Sequence, residues 1–130
     1  LPLVEKKGLS ALVYTEVSEK RNNAKANYGM GISKYTGARG KSGTNDADAE
    51  TVGKLRRMME QGSVVWQMAE LGKVDQGGGG TVALYMANRD ISTLDAGVPV
   101  LSMHAPMELV SKLDAWMTRK AMKAFYLNEQ

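Results

Sequence analysis

One histidine and no cysteine stand in this sequence, so His104 is its only imidazole. An imidazole serves as a metal ligand or a general base. A zinc site needs three or four ligands, and no second histidine is available here. Without cysteine there is no disulfide framework, thiolate nucleophile or thiolate zinc site. The Gly-x-Ser-x-Gly turn of many serine hydrolases does not occur either. His104 therefore has two readings, a metal ligand or a packed structural side chain.

Two glycine-bearing segments could hold ligands. Between Lys34 and Thr44 lies a loop rich in Gly, Lys and Arg. Its end, Gly40-Lys41-Ser42, invites a phosphate-loop reading, but Tyr35 stands where the first glycine of Gly-x-x-x-x-Gly-Lys-Ser/Thr belongs. What remains is either a surface loop or an anion-recognition loop, with Lys34, Arg39 and Lys41 attracting a carboxylate or phosphate. The second segment is Gly77-Gly78-Gly79-Gly80-Thr81. Ordering four glycines costs roughly 0.5–1 kcal/mol each relative to alanine. A loop that must admit a ligand backbone explains that cost, and a flexible turn avoids it.

Hydrophobic periodicity supplies the elements that position these residues. Tyr28 to Ser33 reads as a short strand, and Ser63 to Met68 and Val98 to Ser102 as two more. A helix of about 15 residues, capped by Asn45 or Asp46, is expected to bury Val52, Leu55 and Met59 and to stop at Gly62. A second helix is expected from Thr81 to Asn88, directly after the glycines. The last should run from about Met107 to Leu127, with a core stripe of Val110, Leu113, Met117, Ala121 and Ala124. Strands alternating with helices predict an α/β fold with a largely parallel sheet. Ligands of such sheets collect beyond the carboxyl ends of the strands, where His104 follows its strand.

The chain has 130 residues, 43% apolar and 24% charged, which fits one ordinary globular domain. A net charge of +3 is too mild to imply nucleic acid. No apolar run reaches the roughly 18 residues of a membrane span, and Leu1 to Lys7 shows no signal-peptide pattern. No nucleic-acid or membrane partner is expected, and the lack of cysteine suits a reducing cytoplasm. The start at Leu1, without an initiator methionine, suggests a piece of a longer chain.

Three strings carry a resemblance: KYTGARGKSGTNDADAE (Lys34–Glu50), VVWQMAELGKVDQGGGGT (Val64–Thr81) and GVPVLSMHAPMELVSK (Gly97–Lys112). In one order, from about Tyr14 to Tyr126, they resemble the C-terminal part of bacterial zinc metallopeptidases of the aspartyl aminopeptidase family. The resemblance implies a partial three-layer sheet with helices on both faces, belonging to a peptidase domain much longer than this chain. It divides the chain into a poorly matched start, residues 1–13, and a catalytic-domain portion, residues 14–130.

The resemblance also implies chemistry. Such enzymes release an N-terminal residue, typically acidic, from a peptide. They use two zinc ions, other divalent metals being possible at a mixed nitrogen and oxygen site, and they assemble as dodecamers. His104 matches a zinc-ligand histidine, and Lys34 a lysine that contacts the substrate side chain. A tyrosine sharing that task falls at Ser42, and Gly79, Gly80 and Thr81 match a loop beside the substrate pocket. The remaining ligands and the catalytic glutamate belong to segments outside this chain. An aspartate ligand of the family falls in the region Leu9-Ser10-Ala11-Leu12-Val13, which holds none. The expectation is thus an incomplete portion of a metalloaminopeptidase with no catalytic residue of its own, inactive without the remainder of its domain. The alternatives are an inactive binding or assembly fragment, and a phosphate- or nucleotide-binding domain.

Overall fold

The computed structural model describes residues 24–37, 44–69 and 81–128. In chain order these form β1 (Met30–Ser33), β2 (Tyr35–Gly37), β3 (Thr44–Asp46), α1 (Ala49–Gln61), β4 (Trp66–Met68), α2 (Val82–Ala87), β5 (Asp95–Gly97), β6 (Val100–Leu101), β7 (Leu109–Val110) and α3 (Lys112–Asn128). The mixed α/β class expected from the sequence is what forms. None of these helices is long and apolar enough to cross a membrane.

The main sheet has the order β4-β1-β5. β1 pairs with β4 in parallel, Met30 opposite Trp66 and Ile32 opposite Met68. It pairs with β5 in antiparallel fashion, Ile32 opposite Ala96 and Ser33 opposite Asp95. The sheet is therefore mixed, and its third strand is Asp95–Gly97, not the apolar Val98–Ser102 segment expected. An Asp-Ala-Gly strand has poor intrinsic β propensity, and its pairing with β1 overrides that preference. Only Val100 and Leu101 of the expected strand are extended, and they form a separate pair with Leu109–Val110. Pro99, beside them, has no N–H to offer a ladder.

Alternation along β1 sends Met30 and Ile32 to the face covered by α1 and α3. There they meet Leu55, Met58 and Met59 of α1, Val64, and Ala121 of α3. Burying a side chain such as Met59 stabilises the fold by roughly 1.5–3 kcal/mol. Gly62 caps the C-terminus of α1 as expected. A Cβ there would lie 2.9 Å from that of Ala124, so a larger residue would push α3 away.

The N-cap of α1 is Asp48, later than the Asn45 or Asp46 expected, because Asn45 and Asp46 are held in β3 by the antiparallel pairing with β2. Asp48 Oδ1 accepts the Thr51 N–H at 2.6 Å. That bond holds the Asp48 carboxyl below its ordinary value of 3.8. A depressed folded-state value means the cap acts fully above the ordinary value and is lost as pH falls through the lower one. Protection of the first-turn amides of α1, taken relative to the intrinsic exchange rate at the same pH, should therefore fall on acidification below pH 3.8. Asp48→Ala should lose the same protection at neutral pH; unchanged protection there would remove this role.

α3 begins at Lys112, not Met107. Leu109 and Val110 are drawn into the β6 pairing, and the Ser111 hydroxyl then accepts the N–H of Leu113 at 3.2 Å. The later start shifts which residues face inward. Ala121 and Ala124 are buried and Met117 packs on the core, as expected. Val110 and Leu113 are 46% and 44% exposed, and the core position is taken by Asp114, fully buried.

Candidate functional site

The parallel pairing of β1 and β4 brings their carboxyl ends to one edge of the sheet, and antiparallel β5 begins there. Ser33 Oγ donates to the Ala69 carbonyl at 2.7 Å, tying the ends of β1 and β4. Across the sheet Ser33 faces Asp95. A cavity of ≈ 230 Å³ opens at this edge, lined among others by Gly31, Ser33, Ala69, Asp95, Gly97 and Met103.

Lys34 follows β1 directly. Its carbonyl accepts the Ala47 N–H at 2.8 Å. Its ammonium donates to Asp46 Oδ1 and forms an ion pair with it. Thr81 reaches the same edge from another direction. It is the N-cap of α2, its hydroxyl oxygen accepting the Ala83 N–H at 3.3 Å. The hydroxyl also donates to Asp95 Oδ2 at 2.8 Å. α2 in turn lies against the β2–β3 hairpin that follows Lys34. The Ser33–Asp95 pairing thus links the two expected substrate residues, Lys34 and Thr81.

His104 sits in the turn between β6 and β7 and is exposed. Its φ is +66°, and Ser102 two residues earlier has φ +60°. Such left-handed backbone is uncommon for residues other than glycine and is held here by local bonds. The Ala105 N–H donates to the Ser102 carbonyl at 3.0 Å, and the His104 N–H to Glu108 Oε1 at 2.6 Å. Glu108, expected to open the last helix, instead fastens this turn. Met103, beside His104, lines the cavity at the sheet edge. Among the described residues no three His, Cys, Asp or Glu side chains come together to hold a metal. Ser42, Gly79 and Gly80 lie outside the described residues.

Sequence reasoning missed Asp95 as the link between Lys34 and Thr81. The only signal was its place within Asp95-Ala96-Gly97, which looks like loop. Asp46, expected as a helix cap, instead pairs with Lys34.

A profile of the aminopeptidase I zinc metalloproteases (M18) matches residues 11–126. The chain belongs to this family. It is 51% identical over 115 residues to a probable M18 family aminopeptidase 1 of Clostridium acetobutylicum, covering 88% of this chain and 25% of that protein. A counterpart in Borreliella afzelii is 47% identical over 114 residues, again 88% of this chain and 25% of the relative. Among solved structures, aminopeptidase I from Clostridium acetobutylicum superimposes with a TM-score of 0.76 at 52% identity, over 86% of this chain and 25% of that one. An M18 aminopeptidase from Thermotoga maritima gives a TM-score of 0.78 at 45% identity, over 89% and 26%. This M18 chain thus spans about a quarter of the length of the relatives it matches. Its fold fits a C-terminal part of such an enzyme.

Proposed function

We propose that the chain is the C-terminal part, residues 14–130, of a metal-dependent aminopeptidase that releases N-terminal residues, preferentially acidic ones, from peptides. The observation that carries this reading is the family match over residues 11–126. The sheet edge adds local support: Ser33, which precedes Lys34, and Met103, which precedes His104, both line the cavity of ≈ 230 Å³. His104 would contribute one nitrogen ligand to a pair of zinc ions, other divalent metals being alternatives. Bound there, the metals supply Lewis-acid polarisation of the scissile carbonyl and a water of lowered pKa. The remaining ligands and the general base come from parts of the enzyme outside the described residues.

The chain's own residues bind and orient. Lys34 offers its ammonium to a carboxylate side chain of the substrate. Thr81, held by Asp95, fixes the start of α2 near the sheet edge. Ser42, Gly79 and Gly80 are proposed as further substrate-binding residues. The remainder of the catalytic domain is the proposed partner of the apolar groove of ≈ 620 Å³ between α1 and α3, lined by Leu55, Met58, Leu94, Met122 and Phe125 among others. The complete enzyme is proposed to work in the cytoplasm as a homo-oligomer, a dodecamer by resemblance. The 130 residues alone are inactive on this reading.

The test is peptide hydrolysis by the full-length protein. Release of the N-terminal residue should stop on chelation and return with zinc. Undiminished hydrolysis after the metal has been removed would reject the reading.

A further inference from the structure

We propose that Asp46 sets how strongly Lys34 discriminates acidic from neutral substrate side chains. The inference rests on the reading of Lys34 as substrate-facing and adds a residue that tunes it. Lys34 Nζ and Asp46 Oδ1 form an ion pair between neighbouring positions of the β2–β3 hairpin and its start. In the β2–β3 hairpin Tyr35 faces Asp46, and the Lys34 carbonyl holds the N–H of Ala47. Register sets Asp46 opposite Tyr35 and one position along from Lys34, and the long Lys34 side chain crosses that step to close the ion pair. Among the described residues the side chains are 44% and 57% exposed, which leaves room on the lysine for a third charged group.

A lysine in contact with a carboxylate does not present a full positive charge to a newcomer. An acidic side chain approaching Lys34 also meets the negative charge of Asp46. Attraction and repulsion then partly cancel, since Coulomb energies fall only slowly with distance. A neutral side chain feels neither. Because specificity is a difference of affinities, Asp46 narrows the gap between acidic and neutral substrates. The enzyme should accordingly accept both classes, with a modest preference for acidic ones.

The experiment compares kcat/KM for Asp-, Glu-, Leu- and Ala-bearing substrates in the full-length enzyme. The acidic-to-neutral ratio is independent of the fraction of folded enzyme, so a partly unstable variant still reports. Asp46→Asn keeps an oxygen for the lysine and removes the charge. It should raise the ratio about three- to fivefold, the size an exposed charge pair supports, and the gain should shrink at high salt. The change should appear in KM rather than kcat. Asp46→Ser should act in the same direction. Adding Lys34→Met to Asp46→Asn should abolish the gain. An unchanged ratio in both Asp46 variants, with Lys34→Met still selectively weakening acidic substrates, would overturn this proposal and leave the reading of Lys34 standing. Equal losses on all four substrates in Lys34→Met would overturn both.

Discussion

Asp114→Ala is expected to destabilise the fold by about 2–5 kcal/mol, because it strands two backbone donors at once. Asp114 is fully buried in α3. Its two oxygens accept the N–H of Asn27 at 2.9 Å and of Gly29 at 2.8 Å. Both donors lie in a turn with left-handed backbone, φ +70° at Asn27 and +89° at Gly29. Glycine is required at the second position, since a Cβ there would sit 2.1 Å from the Val65 carbonyl oxygen. The Ser111 hydroxyl reinforces the turn by donating to Asn27 Oδ1 at 2.6 Å. Gln67 of β4 closes it from the other side, accepting the Lys25 N–H at 2.8 Å and donating to the Gly29 carbonyl at 3.2 Å.

This network starts β1, and β1 delivers Ser33 and Lys34 to the site. Loss of the carboxylate should therefore loosen both the fold and the sheet edge. Asp114→Asn retains one acceptor oxygen and should fall between the parent and Asp114→Ala. Amide exchange at Asn27 and Gly29, together with thermal unfolding of the full-length protein, measures the effect. Unchanged exchange in Asp114→Ala would show that the carboxylate does not hold the turn.

The contrast between Asp114 and α1 shows what a sequence makes legible. In α1 the spacing of Leu55 and Met59 and the stop at Gly62 are local signals, and the helix follows them. Thr81 before Val82 is another such signal, and α2 starts there. Asp114 has no local signal, because its donors lie 87 and 85 residues away along the chain. Read alone, it is a charge in a helix, and Leu113 beside it is the better core candidate. Long-range polar satisfaction reverses that choice. The same holds for β5, whose Asp-Ala-Gly sequence becomes a strand only because β1 has a free edge to pair with. At the candidate site, His104 and Lys34 stand out in the sequence by their chemical type and by the resemblance of the surrounding strings, and their roles rest on the proposed function. The Asp46 and Asp95 partnerships do not stand out, since each depends on a strand register that no short motif encodes.

On the proposed function, this chain brings a metal ligand to an M18 aminopeptidase through its only histidine. His104 stands exposed in a turn held by Glu108 and lies outside the packed core. Removing its imidazole should therefore cost metal and activity while sparing the fold. Alanine tolerates the φ of +66° less well than asparagine, so His104→Asn controls for backbone strain. The most direct measurement is metal stoichiometry and melting temperature on the same full-length His104→Ala preparation, beside its parent. About one metal equivalent should be lost, with hydrolysis reduced at least about a hundredfold and melting nearly unchanged apart from the stabilisation that bound metal gives. Full metal occupancy in His104→Ala would contradict the account, whatever happened to the rate.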